Sequence, residues 1–490
     1  MIERPAAERE PGSYRDPSGF VFRRDGHLYR QINARIADDW SLFTYSGLHA
    51  ALVEKGLLIP DEPAELGLAP EPGAVAIIRP EEIGFISYPY EWSFSQLKDA
   101  ALLTLQAQAV AAEHGMTLRD ASAYNVQFRH GRPILIDTLS FERARPDEPW
   151  KPYRQFCEHF LAPLALMAHR DGRLGLLLRD FIDGVPLDLA SKLLPRGTRW
   201  SPGLAAHVHL HSRAQRRHAA SADPAPKAAS MSETRRRALL DHLQRTVEGL
   251  HLPAQGTQWA DYADQTSYSA AGTASKEAIV GRMLRAASGE RAWDVGANTG
   301  RYSAIAAAAG YEVVAVDGDW AAVERHYLAL RAAGEPRIMP LLADIADPSP
   351  AIGWANRERA SLLERTNADV VVALALVHHL AIGRNVPLPM VSELLAQLAP
   401  KLIVEWVPKE DPMVGRLLAA REDVFPDYSV DGFRSAFGRH FEIVEEAPID
   451  DSLRVLFRMA AAGITASGAR TPSGPPFASA GDAASRKLRS

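Results

Sequence analysis

Three acids placed at the ends of apolar runs are the residues of this chain best suited to hold a ligand. Ala292-Trp-Asp294-Val-Gly296-Ala-Asn298-Thr-Gly300 reads as a buried strand ending in Asp294, a turn of small residues, then a helix start. Tyr311-Glu-Val-Val-Ala-Val316 reads as a second strand closed by Asp317, and Met339-Pro-Leu-Leu-Ala343 as a third closed by Asp344. A turn of small residues lets a ligand lie against bare backbone, and an acid ending the second strand can accept both hydroxyls of a ribose. An adenosine-containing ligand on a doubly wound α/β sheet fits that layout. A dinucleotide fits it poorly, because G-x-G-x-x-G counted from Gly296 needs glycine at 298 and 301, where the chain has Asn298 and Arg301. The carboxylate of Asp294 would also repel a pyrophosphate. It can instead accept hydrogen bonds from an ammonium group, directly or through water. Asparagine at 298 suits the turn because it tolerates left-handed backbone better than most residues. The plain alternative is a strand-to-helix turn that holds no ligand.

Farther on, Ala368-Asp369-Val-Val-Val-Ala-Leu-Ala-Leu-Val-His378-His379-Leu380 predicts a fourth strand, apolar enough to be covered on both faces. Lys401-Leu-Ile-Val-Glu405 predicts a fifth, running into Trp406-Val-Pro-Lys-Glu-Asp411-Pro412. A histidine at 378 or 379 can act as a general base, or pack structurally; Glu405 and Asp411 are further candidates. Trp259, Tyr262, Ser267 and Tyr268 precede a helix at Lys276–Leu284, so Tyr262 and Tyr268 are candidates to close the pocket or simply to pack. Arg301 either reaches a ligand carboxylate or faces solvent.

Over residues 255–460 these features resemble the class I S-adenosylmethionine-dependent methyltransferases. The resemblance implies a doubly wound Rossmann-like sheet with S-adenosyl-L-methionine as cofactor. It assigns Asp294 to the cofactor ammonium, Gly296, Asn298 and Gly300 to the first motif, Asp317 to the ribose and Asp344 to the adenine amino group. It also puts Tyr268 over the cofactor, and His378, His379 and Glu405 beside the acceptor. The departure is Asn298, where many members have glycine. Leu374-Ala-Leu-Val-His378-His379-Leu380 is similar to the same segment of many small-molecule members. Val404-Glu-Trp-Val-Pro-Lys-Glu-Asp-Pro-Met413 looks like bacterial nodulation-type methyltransferases, which points to a glycan, lipid-linked or secondary-metabolite acceptor. The Asn/Asp-Pro-Pro-aromatic signature of many amino-group methylators is missing, which leans the acceptor atom towards oxygen.

The elements that must position these residues divide the chain. Its 490 residues call for two or three domains. Residues 1–194 read as an α+β accessory domain, 195–232 as a linker, 233–462 as the α/β domain and 463–490 as a disordered tail. The linker and its surroundings carry Arg213, Arg216, Arg217 and Arg235–Arg237, read as a solvated interdomain surface rather than a patch for an anionic partner. Asp25-Gly26 between alternating runs predicts a hairpin. A helix is expected near Tyr45–Lys55, a short strand near Val75–Ile78, and a long helix from Phe94 to His114, capped by Ser93 or Ser95 and stopped at Gly115. Helices are expected between Pro152 and Leu194, broken by the Asp171-Gly172 turn, and again at 233–249 and 274–287.

The accessory half carries its own acids. Asp120 and Asn125 lie five positions apart in a loop behind the long helix, and Asp137 ends the apolar run Pro133-Ile-Leu-Ile136. This resembles the catalytic segment of protein-kinase-like phosphotransferases, in which the first Asp positions a hydroxyl and the Asn and second Asp hold magnesium. Tyr88-Pro-Tyr-Glu-Trp-Ser-Phe94 would connect the lobes. The departures are large: no Gly-rich phosphate loop, no strand lysine with a glutamate partner, Arg119 with no histidine beside it, and Thr138-Leu139 in place of Phe-Gly. A degenerate kinase-like domain that binds or presents substrate accounts for both sides, and a loop merely braced by Asp120 and Asn125 is the plain reading.

Composition narrows the rest. A net charge of −5 gives no nucleic-acid footprint. A single cysteine, Cys157, excludes intrachain disulfides and a cysteine-based zinc site. No apolar run approaches a membrane span and the N-terminus lacks a signal-type apolar segment, so a cytoplasmic protein is expected. The expectation is methyl transfer to a small-molecule acceptor without a metal. The alternatives are a nucleotide-binding scaffold without catalysis and a bifunctional phosphotransferase-methyltransferase.

Overall fold

The computed structural model describes residues 7–211, 230–253, 268–419 and 422–463. The N-terminal half opens with an antiparallel sheet of β1 (Glu8–Arg9), β2 (Gly19–Arg24), β3 (His27–Asn33), β4 (Asp61–Ala64) and β5 (Ala74–Pro80), ordered β1-β2-β3-β5-β4. Asp25 and Gly26 join β2 to β3 with φ of 52° and 79°, the two left-handed residues that a tight hairpin turn of matching twist requires. The helix expected near Tyr45–Lys55 is Leu48–Glu54, and a further helix, Ala37–Tyr45, precedes it. They are separated at Gly47, whose φ of 82° cannot continue a right-handed helix.

The long helix Phe94–Glu113 starts behind Ser93. The Gln96 side chain accepts from the Ser93 N–H at 2.8 Å, a reciprocal cap. Behind it come four short strands: β6 (Met116–Leu118) paired with β9 (Phe141–Arg143), and β7 (Val126–Arg129) paired with β8 (Arg132–Leu135). Helical turns run from Tyr153 to His169. The expected linker is helical as far as Leu210, and His207, Val208 and His209 are buried. The helix Glu233–Glu248 also sides with this half: Leu243 and Val247 are buried, and Lys98 Nζ donates to the carbonyls of Glu248 and Leu250 at 2.8 Å. The helix Glu233–Glu248 packs on the long helix, and the helical turns at 205–210 pack on the helix Leu187–Leu193. Most of the Ser221–Ser230 stretch and the tail from 464 lie outside the described residues, as do Arg213, Arg216 and Arg217.

The C-terminal half is an α/β sheet of β10 (Arg291–Val295), β11 (Glu312–Asp317), β12 (Ile338–Leu342), β13 (Val370–Ala373), β14 (Lys401–Trp406), β15 (Phe441–Pro448) and β16 (Val455–Ala461). The order is β12-β11-β10-β13-β14-β16-β15; the first five are parallel and β16 is antiparallel to both neighbours. Helices Arg301–Ala308 and Trp320–Ala333 make the crossovers on one side of β10, and Leu388–Leu398 the crossover from β13 to β14. The chain thus reverses direction between β10 and β13, and at such a switch point the carboxyl ends of the strands open a crevice.

The fourth strand is shorter than its apolar run. It stops at Ala373, because Ala375 has φ of 50° and gives its N–H to Glu405 Oε2 at 2.9 Å. His378 and His379 therefore lie on a short helical segment ahead of Gly383.

One continuous apolar cluster joins the halves, from Leu97, Phe128 and Phe156 to Trp293, Val316 and Val371. The Phe85 and Trp293 rings meet edge to face at 5.5 Å between centroids. Buried Glu91 accepts from Ser349 Oγ at 2.9 Å and from Arg365 Nη1 at 3.0 Å. Among the described residues, no helix is long and apolar enough to cross a membrane.

Candidate active site

A cavity of about 1000 Å³ opens over the carboxyl ends of β10, β11, β12 and β13. Its wall includes Asp294, Gly296, Asn298, Asp317, Asp344, Tyr268 and His379. The structure therefore gathers those residues, spread over more than a hundred positions of sequence, around one space.

The turn after β10 is built from left-handed residues: φ is 80° at Gly296, 50° at Asn298 and 85° at Gly300. Asn298 ties the turn to the next strand, its N–H donating to Asp317 Oδ2 at 2.8 Å while its own Oδ1 accepts from Thr299 N at 2.8 Å. Gly300 has a different reason for being glycine. A Cβ there would fall 1.9 Å from Nε2 of buried His326, so its role is close helix packing rather than ligand access.

Asp294 is buried and accepts a hydrogen bond from Ser303 Oγ at 2.6 Å. Burial pushes its carboxyl up to about 6, against the pull of Ser303. Asp317 accepts the Asn298 and Asp319 N–H groups, yet burial also pushes it up to about 6. No ion pair among the described residues involves either acid. Two carboxylates held short of compensation suit a ligand that brings an ammonium and hydroxyl donors, and that donor set is what the amino-acid and ribose parts of S-adenosylmethionine carry. Asp344 also faces the cavity, with Oδ2 paired to Arg384 Nη2 at 2.6 Å.

The other end of the cavity rests on a charged network. Glu405 is fully buried and does not reach the cavity wall. It accepts from Lys276 Nζ at 2.6 Å, Arg454 Nη1 at 3.2 Å, the Tyr268 hydroxyl and Ala375 N. Burial alone would raise its carboxyl, but the charges of Lys276 and Arg454 hold it down to about 2. Glu405 thus braces Tyr268, Lys276 and Arg454, all three of which line the cavity. Asp411 is likewise committed, accepting from Arg454 Nε at 2.7 Å and capping the helix Pro412–Leu418.

The two histidines differ. His379 lines the cavity, and burial with Arg454 lowers its ring to about 4, so it is neutral at pH 7. His378 is fully buried behind it, ring centroids 4.1 Å apart, with no hydrogen-bond partner at either nitrogen among the described residues and its pKa far below the ordinary range through burial. Arg301 is on the wall but paired with Glu277 at 3.1 Å. Trp259, Tyr262 and Ser267 lie outside the described residues. Lys276, Tyr302 and Arg454 were not legible as site residues. Lys276 shares its helix with Glu277, Arg282 and Arg285, so its charge alone did not mark it.

Aligned over 460 residues, the chain is 35% identical to nodulation protein NoeA of Rhizobium meliloti (strain 1021), covering 92% of this chain and 96% of that one. The chain belongs to the NoeA family of nodulation proteins. No protein-family model matches it. Among solved structures, N-methyltransferase NodS of Bradyrhizobium japonicum WM9 with S-adenosyl-L-homocysteine is 10% identical, covering 42% of this chain and 100% of that one at a TM-score of 0.31. The magnesium protoporphyrin IX methyltransferase of Synechocystis PCC 6803 with bound SAM is 17% identical, covering 43% and 86% at 0.28. The bifunctional kinase-methyltransferase WbdD is 13% identical, covering 41% of each chain at 0.29. Scores of this size leave the α/β fold of the NoeA-family chain resting on its strand order.

The acids of the accessory half also converge. Arg30 of β3 pairs with Asp137, which accepts further from Ser140 Oγ at 2.5 Å and Leu139 N at 3.2 Å. Burial would raise Asp137, but Arg30 and these donors hold it below the usual carboxylate range. Asn125 Nδ2 donates to Ser140 Oγ at 3.1 Å. Asp120 accepts from Ser122 N at 2.8 Å, and burial together with Asp137 raises it. Among the described residues, no group of three or more histidine, cysteine, aspartate or glutamate side chains is arranged to hold a metal ion.

Proposed function

We propose that the protein is an S-adenosylmethionine-dependent methyltransferase acting on a small-molecule acceptor. The observation that carries this is the pair Asp294 and Asp317, one buried and one half-buried carboxylate on one cavity, both raised to about 6 and neither in an ion pair among the described residues. Asp317 would hold the ribose hydroxyls, Asp294 the ammonium and Asp344 the adenine amino group, with the 296–300 turn against the ligand. Bound S-adenosylmethionine would supply an electrophilic methyl group.

The chain's own part is placement and proton removal. His379, neutral and on the wall, accepts the proton of an acceptor hydroxyl, and His378 packs against its ring. Tyr268, fixed by Glu405 and Arg454, shapes the space where the acceptor enters. An oxygen on a glycan, lipid-linked or secondary-metabolite acceptor remains the favoured target.

The accessory half supports a degenerate kinase-like domain. A five-stranded sheet, a long helix and two short strand pairs bring Asp120, Asn125 and Asp137 together in the expected order. Arg30 takes the charge of Asp137 in place of a metal, which favours a domain that no longer transfers phosphate.

The test is thermal unfolding with S-adenosylhomocysteine, on protein stripped of carried-over cofactor and alongside Asp317→Ala. Ligand at a hundred times its dissociation constant adds about 2.7 kcal/mol to the native state. The stabilisation is expected in the wild type and absent in the variant. A wild type without any shift overturns the reading.

A further inference from the structure

The cavity wall contains two residues more than a hundred positions upstream of the sheet that forms the rest of it, Asp171 and Arg173. They flank Gly172 at the start of the helical segment Gly172–Leu176 of the accessory half, Asp171 as its cap and Arg173 in its first turn. Gly172 is pressed on the indole of Trp320, where a Cβ would sit 2.4 Å from the ring. Trp320 opens the helix Trp320–Ala333, whose approach is the loop carrying Asp317 and Asp319.

That helix is held by the accessory half along one stripe. Ser95 N donates to Glu324 Oε2 at 2.9 Å. Tyr327 Oη donates to Asp99 Oδ2 at 2.7 Å, and Arg331 Nη1 to Asp99 at 2.8 Å. Positions 320, 324, 327 and 331 recur at helical spacing, so one face of the helix is docked from its first turn to its last. The loop bearing Asp317 is therefore fixed at both sides: by the sheet through Asn298, and by the accessory half through Trp320.

The turn is itself suited to a purine nucleoside. Arg173 is paired within the turn, Nε and Nη2 to Asp171 at 2.8 and 2.7 Å, which fixes the orientation of its planar guanidinium. A planar guanidinium stacks on aromatic rings and keeps donors at its edge, and the indole of Trp320 is a second flat wall of the same cavity.

We infer that the accessory half completes the cofactor site, with the Asp171-Gly172-Arg173 turn and Trp320 forming the outer wall at the adenosine end. The inference rests on the cofactor reading above and adds a role for the N-terminal half that needs no phosphotransfer. It assigns Arg173 to the binding of the adenosine part of the cofactor.

Calorimetric titration of the full chain with S-adenosylhomocysteine and with 5′-methylthioadenosine tests it, on wild type, Arg173→Ala, Gly172→Val and Asp317→Ala. Arg173 is exposed, so its truncation does not endanger the fold. Arg173→Ala is expected to weaken both ligands by the same factor, about 5-fold, because both carry the adenosine part. Gly172→Val, which displaces Trp320, is expected to weaken both by at least about 10-fold. Wild-type affinity in Arg173→Ala, with binding lost in Asp317→Ala, overturns the inference and leaves the cofactor reading standing. A loss confined to S-adenosylhomocysteine also overturns it, since the wall would then lie at the amino-acid end. No binding by the wild type overturns both.

Discussion

Two acidic clusters, one in each half, were equally visible in the sequence and come out differently in the structure. In the C-terminal half Asp294 and Asp317 face a cavity, stay out of ion pairs among the described residues, and are raised to about 6. In the N-terminal half Asp137 is met by Arg30 and two further donors and is held low. The lesson is that an acid at a strand end becomes a ligand site only where the fold leaves it uncompensated. An internal cation converts the same residue into a structural brace. Glu405 shows the rule inside the C-terminal half, since Lys276 and Arg454 remove it from the set of available bases.

The strongest way to break the comparison is Glu405→Gln, which leaves buried Lys276 without its anion and Arg454 with Asp411 alone. A loss of about 4 kcal/mol is expected from urea unfolding at neutral pH. A loss below about 1 kcal/mol would mean that the network is dispensable and Glu405 is free for other work. Arg30→Met comes next, with an expected cost of about 3 kcal/mol, much of it recovered in the double variant with Asp137→Asn. Additive single effects would show that the pair is not coupled.

Asp294→Asn probes the other side through pH. The ordinary carboxyl value of Asp294, 3.8, rises to about 6 on folding. Its stabilising contribution is therefore complete below the unfolded value and disappears as pH rises through about 6. Relative to the asparagine variant, the wild type should lose on the order of 2 kcal/mol between about pH 4 and pH 7. Saturating S-adenosylhomocysteine should flatten that difference by supplying a partner for the carboxylate; a profile indifferent to ligand counts against Asp294 as its ammonium site. The smallest effect is a null one: magnesium-ATP should leave the melting temperature unchanged, because Asp137 is already neutralised. A saturable shift would show that Arg30 yields to a metal and that the accessory half binds nucleotide.

Much of this was legible because it is local. Gly296, Asn298 and Gly300 announce left-handed backbone by their residue types, and all three adopt it. The Asp25-Gly26 hairpin and the Ser93 cap were readable for the same reason. The fourth strand misled because its apolar run continues past the point where Glu405, thirty positions on, draws the Ala375 N–H out of the ladder. The helical turns at 205–210, which bury His207 and Val208, leave little trace in composition.

By itself the sequence determined where acids close strands and where the backbone turns, since strand period, glycine and asparagine conformations and helix caps are set within a few residues. Only the tertiary structure decided which acids keep their charge uncompensated and which half of the chain walls the cavity. Those outcomes depend on pairs such as Lys276 with Glu405, Arg30 with Asp137 and Gly172 with Trp320, separated by 129, 107 and 148 positions. Electrostatic compensation and close packing act through space, and no spacing along the chain encodes them.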